Sequence, residues 1–306
     1  MKTTLVSVLF LSAGLFSPFA LGEHLQDSIS VNGATDPIVV PREPTTLTIE
    51  VKDRNTNQQV VNFEPVDQKY MHMVIISRDL EKFSHIHPYL DQETGLFNIG
   101  VNLATEDPDN QDSTRAIAQG GKHFVFIETK PQGSEPETTH LELRAEGESP
   151  TPDVTPDPQQ PNGTIVKFLD DEGEVSGEGS RYKVEFMIHG GQHDRSLMAT
   201  ILELQAGQYV QVANLQPWLG MCGHALMVSV AGASAQEKKF QHLHSMPGGG
   251  HGGGHGGGHN FAEQCTSVLS FSAGHQPHSF AEELYKVWIQ FRYDGKIVTA
   301  PFVVNL

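Results

Sequence analysis

Cysteine and positive charge are both scarce in this chain of 306 residues. There are only two cysteines, Cys222 and Cys265, and such a pair in an exported protein usually forms a disulfide. Lys and Arg total 20 against 37 Asp and Glu, which gives a formal net charge of −17. A surface of this sign repels nucleic acid and anionic membranes, so we expect neither as a partner. It is compatible with attracting cations, although many secreted proteins are acidic for solubility alone.

Long apolar runs are also rare, and the one that is present lies at residues 5–16. Lys2 precedes it and the small residues Ala20 and Gly22 follow it, so residues 1–22 are typical of a secretory signal peptide. Because no second run of this length follows, we expect no membrane span. The predicted location is therefore periplasmic or secreted.

The common catalytic signatures are missing as well. The sequence contains no GxSxG, no HExxH and no paired Cys–His nucleophile arrangement. A metal held by three histidines can activate water, which keeps a metal-dependent enzyme as an alternative. No recognisable substrate pocket or general base accompanies the histidines, so we expect a protein that is not an enzyme.

The histidines of this chain are arranged unusually, and the first such arrangement lies in residues 70–88. This stretch alternates like two strands around a polar turn at residues 78–82, so it predicts an antiparallel hairpin. The predicted opposite pairs are His72–His87, Val74–His85 and Ile76–Phe83. Since opposite residues share a face of a sheet, His72, His85 and His87 form one patch that can reach a common metal ion.

The same pattern recurs at residues 218–247. Here the predicted opposite pairs are His224–His244, Leu226–His242 and Val228–Phe240. Trp288 of the later strand-like run 285–292 matches Phe126 of the run 123–130. A histidine, a hairpin and an HxH that recur with matching apolar neighbours indicate a duplicated domain.

Strand-like segments every 8–15 residues, without an amphipathic helix, predict two tandem Ig-like antiparallel β-sandwiches, an all-β fold. The expected strands include residues 45–52, 96–103, 122–129, 140–145, 182–189, 208–213, 285–292 and 297–306, with 182–189 corresponding to 45–52. The predicted domains cover residues 23–147 and 164–306. The Pro-rich, acidic segment 148–163 between them is typical of an extended linker.

An insertion at residues 248–260 distinguishes the second domain. It reads GGGHGGGHGGGHN and places His251, His255 and His259 four residues apart. Glycine at this density does not hold one conformation, so the segment predicts a mobile metal-binding tract. A plain spacer is the alternative.

The two hairpin stretches resemble an exported bacterial family with motifs of the kind MHLxxVxxDLxxFxHxHP and LGxxGHLxxL…HxHP. Its members have tandem Ig-like sandwich domains and are regarded as envelope metal- or copper-binding proteins. The resemblance covers nearly the whole chain after the signal segment. Where some members have a further histidine this chain has Asp67, which implies an oxygen as a fourth ligand at the first hairpin.

Copper is the expected metal at each hairpin, with zinc and nickel as alternatives, because imidazole sites suit all three and the intrinsic affinity order favours copper. Met71 and Met73 are out of phase with His72 and are predicted to pack in the core. Cys222 is in phase with His224, so a thiolate ligand is an alternative to the disulfide.

The sequence therefore predicts an exported protein that binds, buffers or delivers copper through one surface tri-histidine site per domain. Its expected partners are metal ions and a metal-accepting envelope protein. The competing interpretation is a structural or adhesive sandwich protein whose histidines are incidental.

Overall fold

The computed structural model describes residues 24–34, 38–190, 195–245, 265–272 and 282–306. The predicted signal peptide and the Gly/His insertion lie outside the described residues. Both domains are built from sheets with antiparallel pairing, as predicted, except for one short parallel pair between residues 38–39 and 144–145. The described helical turns are two short 3-10 segments, Gln111–Arg115 and Ala235–Glu237. Within the described residues, no helix has the length and apolar composition that a membrane span needs.

The first domain is a sandwich of two sheets. Its strands are β1 Leu25–Val31, β2 Ile38–Val39, β3 Thr45–Asp53, β4 Met71–Ser77, β5 Phe83–Ile86, β6 Tyr89–Asp91, β7 Leu96–Val101, β8 Gly121–Thr129 and β9 Glu137–Ala145. One sheet has the order β1-β3-β7-β6 and the other β2-β9-β8-β4-β5. Alternate residues of β3, such as Leu47 and Ile49, meet Met71 and Met73 of β4 in the core between the sheets. The prediction that these methionines pack in the core is confirmed.

The second domain repeats this plan with extra strands. Its strands are β10 Ile165–Leu169, β11 Val175–Ser176, β12 Tyr182–His189, β13 Ser196–Gln205, β14 Gln208–Gln211, β15 Gly223–Ser229, β16 Phe240–Ser245, β17 Val268–Ser272, β18 Leu284–Tyr293 and β19 Lys296–Asn305. One sheet has the order β11-β10-β12-β13-β14, with β17 also paired to β13, and the other has the order β16-β15-β18-β19.

Strand pairing corrects one predicted correspondence between the repeats. β3 pairs with β1 on one side and with β7, which follows the hairpin, on the other. β13 makes the matching pairs, with β12 and with β17, which follows the second hairpin. Residues 182–189 thus correspond to β1 and not to residues 45–52, because position in the sheet rather than local alternation defines equivalence.

The two domains pack through the outer faces of their hairpin sheets. β4 and β15 are buried along their whole length, so each is covered by its own core on one face and by the other domain on the opposite face. Two aromatic stacks cross the interface, Phe83 on Trp288 at 4.6 Å and Phe126 on Phe240 at 4.3 Å between ring centroids. Because the sequence repeat equates Phe83 with Phe240 and Phe126 with Trp288, the two stacks are related by a pseudo-twofold axis.

The segment between the domains lies against them rather than hanging free. Asp157 exchanges hydrogen bonds with the backbone of Val303 and pairs with Lys167, and Val154 packs on the interface cluster. Gln159 makes a single bridge to Ile165, and the segment otherwise has no strand or helix. Its contacts help fix the orientation of the domains.

Cys222 and Cys265 form the predicted disulfide and are buried in the core of the second domain. The thiolate-ligand alternative is therefore wrong: Cys222 lies just before β15, where the chain turns into the core. We expect the Cys222→Ser/Cys265→Ser variant to unfold with a free energy lower by roughly 3–4 kcal/mol, because the bridge restricts the unfolded chain. Chemical unfolding measures this, and an equal stability would contradict it.

Candidate metal centre

Both histidine hairpins form in the predicted register. In the first, Val74 lies opposite His85 and Ile76 opposite Phe83. In the second, the opposite pairs are His224–His244, Leu226–His242 and Val228–Phe240. The spacing in the sequence was therefore sufficient to bring each set of three histidines onto one face of its sheet.

The six hairpin histidines do not form two surface patches, which corrects the prediction of one surface site per domain. His72, His85 and His87 are each only 1% exposed and His224 is fully buried. Across the interface, the rings of His85 and His242 lie 4.9 Å apart. The reason is tertiary: the two histidine-bearing faces are the faces that pack against each other.

The six histidines form two trios with nearly the same internal geometry. In the first trio (His72, His85, His87) the ring centroids are 5.5, 4.9 and 4.7 Å apart, with interplanar angles of 32°, 90° and 61°. In the second trio (His224, His242, His244) the corresponding values are 5.4, 5.0 and 4.4 Å, with 32°, 88° and 65°. The pseudo-twofold axis of the interface thus relates the trios, and it passes between His85 and His242.

The central histidine of each trio is oriented by the other domain. His85 Nδ1 lies 3.0 Å from Gln290 Oε1, and His242 Nδ1 lies 3.1 Å from Glu128 Oε2. Since a carbonyl or carboxylate oxygen only accepts, each Nδ1 carries the proton and donates it, which leaves Nε2 with a lone pair. Hydrogen bonds of this kind fix the tautomer and ring orientation of metal-ligating histidines.

The Gln290 amide is itself held in one orientation. Its Nε2 donates to Asp112 Oδ2 at 3.2 Å and to Thr299 Oγ1 at 3.0 Å. Because the carboxylate accepts only, the amide nitrogen must face Asp112 and the amide oxygen must face His85. Burial raises the pKa of Asp112, and the hydrogen bonds from Gln290 and from the backbone N–H of His85 oppose that rise.

His72 and His87 are oriented by backbone carbonyls. His87 Nδ1 donates to Asp109 O at 3.0 Å, and His72 Nε2 donates to Val66 O at 2.9 Å. His72 Nδ1 therefore has a lone pair, and it lies 3.3 Å from His85 Nε2, which has one too. Two lone pairs cannot share a hydrogen bond, whereas roughly 3.3 Å is the ligand–ligand distance around a tetrahedral ion with bonds of about 2.0–2.1 Å.

Several ring nitrogens of the centre have no hydrogen-bond partner among the described residues. They are His87 Nε2 and both nitrogens of His224, and all are fully enclosed. A buried polar atom without a partner costs on the order of 1–3 kcal/mol. A metal ion satisfies such nitrogens, so the donor set fits a cation.

Burial also keeps these imidazoles neutral. The pKa values of His85, His87, His224 and His242 are all well below the usual range, first because burial disfavours the charged ring and second because neighbouring histidines repel it. Only neutral imidazole ligates a metal. The centre is therefore ready for binding at neutral pH, and its proton competition begins at lower pH than for free histidine.

Ligand atoms within 4.8 Å of one another identify two groups that could hold a metal, His72–His85–His242 and His224–His242–His244. The second is the predicted trio, whereas the first takes His242 from the other domain in place of His87. Asp67 was expected to serve the first hairpin. Instead it lies against His244 of the second domain, with 3.3 Å between Asp67 Oδ2 and His244 Nε2. His251, His255 and His259 lie outside the described residues.

Glu128, Gln290 and Trp218 are parts of the centre that the sequence analysis did not identify. Glu128 and Gln290 lie directly opposite His72 and His224 on the neighbouring strands. Trp218 is buried with its ring 4.6 Å from that of His224 and 5.3 Å from that of His85. Aligning the repeats would have paired Glu128 with Gln290, but nothing local indicates that each reaches into the other domain.

Comparison with known proteins supports the duplication. A family model described as a domain of unknown function (DUF8832) matches residues 25–147 and again residues 176–306. Among curated proteins, none matches the chain.

Solved structures match this chain only at low similarity. A Ca2+-stabilised adhesin with which an Antarctic bacterium binds ice is 7% identical over 91% of this chain and 73% of its own, with a TM-score of 0.23. MtrC from Shewanella baltica OS185 is 9% identical over 91% and 68%, with a TM-score of 0.25. A β-glucuronidase of Parabacteroides merdae is 8% identical over 92% and 24%, with a TM-score of 0.18. Similarity at this level carries no information about function.

Proposed function

We propose that this chain, which belongs to the DUF8832 family, binds transition-metal ions, copper foremost, in one centre between its two domains. The observation that carries the proposal is the orientation of the histidines. His85, His87 and His242 each donate the Nδ1 proton to an acceptor outside the trios, so their Nε2 lone pairs converge within one buried cluster. Packing alone gives no reason to bury six imidazoles in this arrangement.

Copper is favoured over zinc and nickel by the chemistry of the donors. Imidazole suits all three ions, and the intrinsic affinity order places Cu(II) highest. Both methionines beside His72 lie in the core and both cysteines are bridged, so thiolate and thioether, the ligands that select Cu(I), are not offered by these residues. The proposal is therefore for divalent copper.

Binding, buffering or delivery in the bacterial envelope is the proposed role, rather than catalysis. The signal-like segment at residues 1–22 and the disulfide support an oxidising location outside the cytoplasm. The two trios lie in a buried interface with no nucleophile signature nearby in sequence, which supports storage or transfer of the ion. A metal-accepting envelope protein is the proposed partner.

The test is the metal content of protein isolated from its native compartment, followed by calorimetric titration of the metal-free protein. We expect copper and a stoichiometry of two tight equivalents, one for each trio. The His72→Ala/His224→Ala variant should bind neither tightly, whereas His189→Ala, which changes an exposed histidine at the end of β12, should match the original protein. Metal-free native protein that takes up no copper would refute the function and leave the structural or adhesive alternative.

Deleting residues 248–259 separates the Gly/His insertion from the centre. Ordering glycine-rich chain costs about 1–2 kcal/mol per residue, so any ions bound by His251, His255 and His259 should be held more weakly. We expect the deletion to lower the total copper capacity while two tight equivalents persist in the calorimetric titration. Loss of a tight equivalent would instead show that the insertion supplies a ligand to the centre.

A further inference from the structure

We propose that the two trios are inequivalent metal positions, because the Asp67 carboxylate of the first domain completes the second trio as a fourth ligand. The second position then has three imidazoles and one carboxylate, whereas the first has imidazoles only. This inference rests on the proposed metal-binding function and adds the coordination of each position. It also reverses the assignment that the sequence suggests, in which Asp67 serves the histidines of its own hairpin.

The distances around His244 carry the first step. Its Nε2 lies 3.3 Å from Asp67 Oδ2 and 3.2 Å from His242 Nε2. Both values agree with the roughly 3.3 Å between neighbouring ligand atoms of a tetrahedral site with bonds of about 2.0–2.1 Å. His242 has its proton on Nδ1, toward Glu128, so its Nε2 offers a lone pair. His244 Nε2 therefore has a potential ligand atom from each domain within 3.3 Å.

The repeat shows why the first trio lacks this fourth ligand. Asp67 lies in a tight turn closed by a bridge between Val66 and Lys69, and Leu219 lies at the same place in the turn closed by Trp218 and Met221. The backbone matches too, with φ of 44° at Asp67 and 54° at Leu219. Leucine has no atom that ligates a metal, so the pseudo-twofold axis relates a carboxylate on one side to an apolar side chain on the other.

Charge and access then distinguish the two positions. Asp67 and Glu128 each place a carboxylate oxygen within 3.3 Å of an imidazole nitrogen of the second trio. The first trio has Leu219 at the equivalent turn position and the neutral amide of Gln290, and the Asp112 carboxylate beside it accepts from that amide and from the backbone N–H of His85. A negative charge in a partly buried site attracts a divalent cation strongly. His244 is partly exposed, whereas His72, His85 and His87 are buried. The second position should therefore fill first and hold its ion more tightly.

Titration of the metal-free full chain with Co(II), followed by calorimetry and visible absorption, tests this. Co(II) is a useful probe because its absorption depends on coordination number and ligand type. We expect two binding events, the first at least tenfold tighter and with the intense spectrum of a four-coordinate ion. Asp67→Asn should weaken the first event at least tenfold, change its spectrum and leave the second event unaltered.

Two further variants keep the test independent of folding defects. Glu128→Gln retains an acceptor for His242 and copies Gln290, so the four-coordinate spectrum should persist. Asp67→Leu/Leu219→Asp exchanges the two turn residues and should transfer the tight binding event to the first trio. Adding His87→Ala to this variant should then abolish the tight event. Unchanged affinities and spectrum in Asp67→Asn would overturn the inference while the metal-binding function stands. A parent protein that binds no Co(II) and no copper would remove the proposed function itself.

Discussion

The metal-free protein is expected to lose stability steeply as the pH falls below about 6.5, the ordinary pKa of histidine. His85, His87, His224 and His242 have lowered pKa values in the folded protein, so below this pH the unfolded chain binds protons that the folded protein does not. Stability therefore rises with pH in this window and is lost on acidification.

The size of the effect follows from the number of protons. Four buried imidazoles act in this direction, and each contributes up to about 1.4 kcal/mol per pH unit. Asp27 acts in the opposite direction, because burial raises its pKa to about 7. On acidification its carboxylate therefore binds a proton at a higher pH in the folded protein than in the unfolded chain. Asp112 also has a raised pKa. The net is about two protons, or on the order of 3 kcal/mol per pH unit.

Chemical unfolding at pH 7.5, 6.5, 6.0 and 5.5 measures the slope. Tryptophan fluorescence is a suitable signal, because the two tryptophans, Trp218 and Trp288, both lie at the domain interface. In the His85→Gln/His242→Gln variant, the histidine contribution to the slope of unfolding free energy against pH should be about half that of the original protein. The Cys222→Ser/Cys265→Ser variant should show the full slope, but from a lower unfolding free energy at pH 7.5. A stability that is constant from pH 7.5 to 5.5 would contradict the buried, neutral state of the cluster.

Replacing His242 by Ala is expected to impair both metal positions, even though this residue belongs to one domain. His242 is common to both groups of histidines whose ligand atoms lie within 4.8 Å of one another. The second position should weaken at least a hundredfold because it loses a ligand. The first should weaken about tenfold, since its own histidines contact His242 at 4.9–5.3 Å between ring centroids.

Calorimetric titration with copper, together with quenching of Trp218 fluorescence, measures both positions. His189→Ala is the matched control, since this histidine is exposed and lies at the far end of β12. Two hairpins that acted independently, as the sequence suggests, would leave the first position unchanged in affinity. That result would contradict a single composite centre.

Local pattern accounts for what the sequence predicted correctly. Alternation of apolar and polar residues placed strands β3, β8, β12, β18 and β19 within one or two residues of their bounds. Spacing also determined the register of both hairpins, because side chains alternate faces along a strand and opposite residues share one. The same rule placed Met71 and Met73 in the core.

Segments without a clean alternation were missed. β13 has a regular inward pattern at Leu197, Ala199 and Ile201, but apolar residues at the intervening positions, such as Met198 and Leu202, obscure the alternation. β17 is short and follows the Gly/His insertion, so its partner strand is distant in sequence. Without these two strands the correspondence between the repeats could not be drawn correctly.

The sequence by itself determined two histidine hairpins, their duplication and the chemistry of their donors. Only the tertiary structure decided that the two trios meet, because each hairpin sheet has a second apolar face that sequence alone cannot distinguish from a solvent-exposed one. That packing buries the imidazoles, supplies Glu128 and Gln290 from the opposite domain and directs Asp67 to His244. The centre therefore depends on contacts between residues more than a hundred positions apart, which no local spacing encodes.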